Sequence, residues 1–411
     1  MPLSPGNKLR YTTPMSASLP VFVDQAAALP ALAEQLLRAP TLYIDLESNG
    51  LHAYTAGLCT LQILDPARGD EVIVVDPFRL PDEALAPLRP VLGPQGPLKI
   101  LHDLSFDSRI LAQHGLELGH VFDTALASRF LGVAATGLAS LAEARLGLKL
   151  SKKLQHHDWG RRPLDEEALA YLAADVRVLP PLAEQIMREV AEKGIQPELD
   201  EEILYRLSTA KADANVPDPR PPYVRIKDGE KLPPAALAIL REVAEVREQS
   251  AKRMNVPPFK VLDNAVLIAL ATAPPTSAAD LSGIRGLQHP RAQALHGPLL
   301  EAVARGKAAG DIPASERKEH FTATARLPRE VATANRAREQ RLTVWRKAEA
   351  ARRKVDEQAI LPGHVLRRLT DGSVTDLAAL EATPGVGAFR ATRDGAAILA
   401  ALAGPPKPAA P

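Results

Sequence analysis

The stretch Thr41-Leu42-Tyr43-Ile44-Asp45-Leu46-Glu47 is an apolar run that carries two carboxylates and then stops at Ser48-Asn49-Gly50. Read as a β-strand, it sends alternate side chains to the same face. Asp45 and Glu47 then point together, while Leu42, Ile44 and Leu46 occupy the buried side. Two negative charges this close, at the end of a strand that wants burial, are costly unless something positive lies between them. A hard divalent cation with oxygen ligands is the usual answer. An Asp-x-Glu pair that merely ends a solvated strand is the plain alternative, and the tripeptide alone does not decide between them.

Outward from this strand the pattern is mixed. Residues 1–19, rich in Pro, Ser and Thr, read as a loose arm, and 24–38 as a helix with Asp24 as its N-cap and Pro30 kinking it or delaying its start. Leu58–Leu64 and Glu71–Asp76 continue as strands closed by Pro-containing turns, which predicts an antiparallel meander. A helix near Asp82 to Val91 follows. Leu98–His102 and Val121–Asp123 then read as short strands, each running into a helix, over Asp103–Leu111 and Thr124–Leu131. Residues 138–146 and 164–193 are helical, with a basic polar segment between them that carries His156, His157 and Trp159. Strands alternating with helices after a meander predict an α/β mixed sheet with flanking helices.

Composition bounds the possibilities. A chain of 411 residues holds two or three domains. The net charge of +1 conceals an asymmetry: residues 1–210 hold 19 Lys and Arg against 27 Asp and Glu, residues 211–411 hold 31 against 22. An acidic front suits a site that collects cations, and a basic back suits a module that meets a polyanion. The single cysteine, Cys59, excludes an internal disulfide framework or a cysteine zinc cluster, and its apolar setting makes it a small core residue. With no signal-peptide pattern and no run approaching ~18 apolar residues, the expectation is a cytoplasmic protein.

Prolines 197, 217, 219, 221, 222, 233 and 234 crowd one stretch, which places a stiff connector there, helical only around 198–212. Beyond it lies a weak internal repeat. A shift of 99 residues pairs Arg247 with Arg346, Leu262 with Leu361, Leu270 with Leu369, Leu281 with Leu380 and Gly286 with Gly385. Two small all-α helical bundles joined by a basic stretch, Arg305 to Arg341, are the economical inference.

The front domain supplies two more acids, Asp107 at a helix start and Asp175 on a later helix, where a spacing of four stacks Tyr171 on the same face. Four carboxylates can hold two Mg²⁺ or Mn²⁺ ions roughly 3.5–4 Å apart, which clamps a phosphodiester for in-line displacement. Tyr171 would orient the attacking water or help take its proton.

These motifs together resemble the ribonuclease D family of 3′–5′ exonucleases, in the class named for four acids and a tyrosine. Ile44-Asp45-Leu46-Glu47 with Leu61-Gln62-Ile63, then Lys99-Ile100-Leu101-His102 with Phe106-Asp107, then Arg162-Pro163-Leu164 leading to Tyr171 and Asp175, stand in the family's order. The resemblance implies a ribonuclease H-like sheet, with Asp45, Glu47, Asp107 and Asp175 as ligands to two divalent cations, Asp45 bridging them, and Tyr171 catalytic. Asp103 is a rival for Asp107 that fits the motif less well, and Asp123 is expected to cap the following helix in preference to supporting the acids. Ala170 stands where the histidine branch of the superfamily has its histidine, and Ser48 where the family often has an aromatic. Leu51, His52 and Tyr54 lie in the loop that would then grip the terminal base.

Residues 223–257 and those from Leu342 resemble the helicase-and-RNase-D C-terminal (HRDC) domain, two of which in tandem are a feature of ribonuclease D. The organisation implied is an exonuclease domain over 20–195, a Pro-rich linker over 196–234 and HRDC-like bundles over 235–310 and 335–405. The activity implied is hydrolysis of RNA 3′ ends, tRNA precursors among them, to nucleoside 5′-monophosphates. A DNA exonuclease and a non-catalytic RNA-binding scaffold are the competing readings.

Overall fold

The computed structural model describes residues 18–214, 218–321 and 328–404. The arm expected over 1–19 falls outside them except for its last two residues, as does the part of the basic stretch at 322–327. The described residues form two units. One holds those up to Ser48, those from Leu58 to Ala214 and those from Glu330 onward; the other holds Asn49–Gly57 and those from Asp218 to Arg329.

The first unit is built on a six-stranded mixed sheet of order β1-β4-β3-β2-β5-β6. Its strands are β1 (Val21–Val23), β2 (Thr41–Ser48), β3 (Leu58–Leu64), β4 (Val72–Val75), β5 (Leu98–Leu101) and β6 (Val121–Asp123). The meander β2-β3-β4 is antiparallel as expected, and β5 and β6 add in parallel beside β2. At three residues, β1 is too short to show alternation in the sequence; it pairs in parallel with β4 at the sheet edge. Along β2, Leu42, Ile44 and Leu46 are buried, each contributing about 1.5–3 kcal/mol, while the opposite face carries Asp45 and Glu47.

Helices α1 (Leu29–Leu36), α2 (Leu104–Gln113), α3 (Thr124–Phe130), α4 (Glu166–Arg177), α5 (Leu179–Lys193) and α6 (Gln196–Asp213) surround the sheet. Two expectations are corrected here by proline. The first helix begins at Leu29, not beside Asp24, because Pro30 is accommodated only in a first turn. The helix read as continuous over 164–193 breaks at Val178, and α5 restarts with Pro180 and Pro181 in its opening turn. The connector stretch opens with α6, an 18-residue helix packed along α2.

The four helices Arg329–Arg353, Gly363–Leu369, Leu377–Glu381 and Gly387–Ala403, with a short turn at Glu357–Ile360, pack around Leu361, Val365, Leu369, Leu380 and Ile398 and complete this unit. Their counterparts in the second unit lie 99 residues earlier. Pro258–Val261 answers Glu357–Ile360 and Ala278–Ser282 answers Leu377–Glu381. Arg247 donates to the carbonyl of Leu262 (3.3 Å) and Arg346 to that of Leu361 (3.0 Å). Gly286 and Gly385, at φ of 97° and 91°, both make the left-handed turn that favours glycine. Within the second unit Tyr54 donates its hydroxyl to Glu248, His52 lies 3.0 Å from Lys260, and Leu51 is exposed. Among the described residues no helix is long and apolar enough to cross a membrane.

Candidate active site

Period-two alternation puts Asp45 and Glu47 on one face of β2, and a register shift between Glu47 and Ser48 ends the regular pairing just beyond them. Across from them runs α4. Asp165 caps it, accepting the Ala168 N–H at 2.8 Å, and Ala168, Leu172, Ala173 and Val176 seat its apolar face on Cys59, Leu64, Val72 and Val74. Seated this way, α4 directs Asp175 toward β2. Ligand oxygens of Asp45, Glu47 and Asp175 all lie within 4.8 Å of one another. The Tyr171 hydroxyl, one turn earlier, donates to Asp175, and its ring lies 5.7 Å from that of Trp159.

Asp107 lies outside that tight group, in the first turn of α2, and is buried. It nevertheless senses the others: burial, then the charges of Asp45, Asp103, Asp123 and Glu47, hold its carboxyl well above the usual range. Asp103 is exposed at the helix start, in a left-handed conformation.

Asp123 holds this corner. Fully buried, it caps α3 by accepting the N–H groups of Ala125 (2.8 Å) and Leu126 (3.0 Å), and it also accepts those of Asp103 (3.1 Å) and Leu104 (2.9 Å) at the start of α2. One carboxylate therefore fixes two helix N-termini. Asp123→Ala is expected to destabilise the protein by about 2–4 kcal/mol in urea unfolding. Asp123→Asn should cost less than half of that, because Oδ1 takes three of the four bonds.

Arg162 is a second support whose role the motif alone did not reveal. It is almost fully buried, forms a bidentate pair with Asp76 (2.5 and 2.6 Å) and donates to the carbonyls of Trp159 and Cys59 (both 2.7 Å). It thus ties the segment entering α4 to the sheet. Lys99, also buried, donates to the carbonyls of Val91 and Gly93, and burial pushes its pKa down to about 8.

The electrostatics of the acids call for a cation. Burial, then the Asp175 charge, pushes Asp45 up to about 7; burial, then Asp45 and Asp175, pushes Glu47 up to about 9; burial holds Asp175 at about 6. Among the described residues no lysine or arginine forms an ion pair with Asp45, Glu47, Asp107 or Asp175. Hard oxygen donors, converging and uncompensated, fit a divalent cation.

Comparison with known proteins places the chain in a family. Residues 20–191 match the 3′-5′ exonuclease family, and residues 236–303 and 335–402 each match the HRDC domain. The ribonuclease D of Zymomonas mobilis is 33% identical over 269 residues, 65% of this chain and 67% of that protein. That of Gluconacetobacter diazotrophicus is 30% identical over 303 residues, 71% of this chain and 73% of that protein. The chain belongs to the ribonuclease D family. As a member of that family it is an enzyme, a 3′–5′ exoribonuclease. Solved structures repeat the fold at low identity. Escherichia coli RNase D matches with a TM-score of 0.65 at 21% identity, over 94% of this chain and 99% of that one. A protein from Bifidobacterium adolescentis matches with 0.72 at 20%, over 95% and 98%.

Proposed function

We propose that this exoribonuclease removes nucleoside 5′-monophosphates one at a time from the 3′ end of RNA, using two divalent cations, Mg²⁺ or Mn²⁺, held by Asp45, Glu47, Asp107 and Asp175. The observation that carries this reading is the convergence of Asp45, Glu47 and Asp175 within 4.8 Å, with Asp107 buried and electrostatically coupled to Asp45. When bound, the cations supply Lewis acidity to the scissile phosphate and to the attacking water.

The chain's own residues set the geometry. Asp45 is central to the four acids and is the ligand we assign to both cations. Tyr171 keeps its proton at neutral pH, because burial and the charges of Asp175, Glu47 and Asp45 push its pKa up. Its hydroxyl already donates to Asp175, and we assign it the role of orienting the attacking water. Tyr171→Phe is expected to lower kcat about 10²-fold with little change in KM, measured on a single-stranded RNA at saturating metal.

The basic excess of residues 211–411 supports RNA as the polyanion bound, in processing or turnover of structured, tRNA-like 3′ ends. We divide the chain into the exonuclease domain at 20–195, a linker at 196–234 and HRDC bundles at 235–310 and 335–405, and we place it in the cytoplasm, in keeping with its lone, buried cysteine. End-labelled RNA and matched DNA, incubated with Mg²⁺, Mn²⁺ or EDTA, test the reading. Stepwise 3′ shortening of RNA that EDTA abolishes is expected. Preferential digestion of DNA, or binding with no shortening, would contradict it.

A further inference from the structure

Helix α6 lies between the helix that carries Asp107 and the second HRDC bundle, and its polar residues face both. Toward the bundle, Glu198 accepts from Arg393 through its carboxylate and from Arg390 (3.0 Å) through its carbonyl. Glu201 accepts from the Phe389 N–H (2.8 Å) and from Arg390 (3.1 Å). Glu202, 2% exposed, has one oxygen 3.7 Å from His364 Nε2, and the His364 ring stacks on Tyr205 at 4.0 Å.

One turn further along, the same chain of contacts crosses to the active site. Arg206 Nε donates to the other oxygen of Glu202 (2.8 Å), and its Nη1 donates to Ser105 Oγ (3.0 Å). Ser105 is in the first turn of α2, two residues before Asp107. Asp123 also grips the start of that helix, through the backbone N–H groups of Asp103 and Leu104. A planar guanidinium has its donors in a fixed fork, so the Glu202 contact sets where Arg206 can meet Ser105. Burial raises the Glu202 carboxyl, and Arg206 is the first of the groups that oppose the rise.

We propose that Arg206 is a positioning residue for Asp107, tying the first turn of α2 through Glu202 to α6, the helix that Glu198 and Glu201 bond to the second helical bundle. The inference rests on Asp107 being a cation ligand. Loss of Arg206 leaves both N–H contacts of Asp123 in place, so the helix still forms, but its acid is held less sharply. A shift near 1 Å in a reacting constellation can lower a rate by about 10²-fold.

The test uses the full chain and two readouts, Mn²⁺ binding by calorimetry and steady-state hydrolysis of a single-stranded RNA. Arg206→Ala should weaken Mn²⁺ binding and lower kcat, each by about 10-fold, with KM within about twofold of wild type. Glu202→Gln and Ser105→Ala should shift Mn²⁺ binding in the same direction, and Ser105→Ala should add little in the Arg206→Ala background. Arg206→Lys should recover part of the loss. A wild-type Mn²⁺ isotherm and kcat in Arg206→Ala, with only the melting temperature lowered, would overturn the proposal. Wild-type protein that binds no Mn²⁺ would overturn the cation reading beneath it, a result distinct from the first.

Discussion

Asp45→Asn should abolish exonuclease activity, by about 10³-fold or more, and at the same time raise the melting temperature of the metal-free protein. The two effects share one cause. Asp107 is buried and Asp45, Glu47 and Asp175 are half-buried, and each is held above the ordinary carboxylate range chiefly by loss of solvent, with neighbouring acids adding to the rise for Asp45, Glu47 and Asp107. A carboxyl whose pKa is higher folded than unfolded contributes stability that is complete below its unfolded pKa and is lost as pH rises through the folded value. For this cluster the loss runs from about pH 4, through 6 for Asp175 and 7 for Asp45, to about 9 for Glu47. At pH 8 the metal-free wild type therefore holds Asp45 and Asp175 ionised side by side, and Glu47 joins them as the pH rises through about 9. Removing the central charge relieves this repulsion, for a gain of about 1–2 kcal/mol, or a few degrees. Thermal melts in EDTA from pH 5 to 9 should show wild type falling more steeply than Asp45→Asn, and added Mg²⁺ stabilising wild type most at the alkaline end. Equal pH slopes for the two proteins would contradict this account.

Arg162→Ala should be the most destabilising single change outside the apolar core, at about 3–5 kcal/mol. Arg162 and Asp76 are 4% and 1% exposed, so removing the guanidinium strands a carboxylate in the interior and leaves the carbonyls of Cys59 and Trp159 without its donors. The damage lies at the entry to α4, so the activity of the surviving folded fraction should fall as well. Urea unfolding followed with RNA hydrolysis measures both. Double replacement, Arg162→Met with Asp76→Leu, removes both charges and should recover part of the stability, because the cost comes chiefly from the unpaired partner. A single variant within about 1 kcal/mol of wild type would show that the pair contributes little.

What the sequence revealed of this site is what local periodicity can carry. Asp45 and Glu47 share a face because strands alternate, and Tyr171 meets Asp175 because helices repeat about every four residues. The 99-residue repeat was legible because Arg247 and Arg346, and Gly286 and Gly385, perform the same backbone task twice. The supports were not legible. Arg162 and Asp76 are 86 residues apart and Glu201 and Arg390 are 189 apart, and a pair of opposite charges has no period to betray it. For the same reason the bond between α6 and the second bundle came only with the structure, where Glu198, Glu201 and Glu202 occupy a stretch whose prolines spoke of a connector. Asp123 was half legible: its position before a helix announced a cap, but its two bonds to the start of α2 depend on β5 and β6 lying side by side.

The most direct test of the central claim is a crystal of the wild-type protein soaked in Mn²⁺, with the ions located by anomalous scattering. Two peaks are predicted, both within coordination distance of Asp45, one also bound by Glu47 and Asp175 and the other by Asp107. A map with no peak at Asp45, or with a single ion that leaves Asp107 uncoordinated, would contradict the two-cation account.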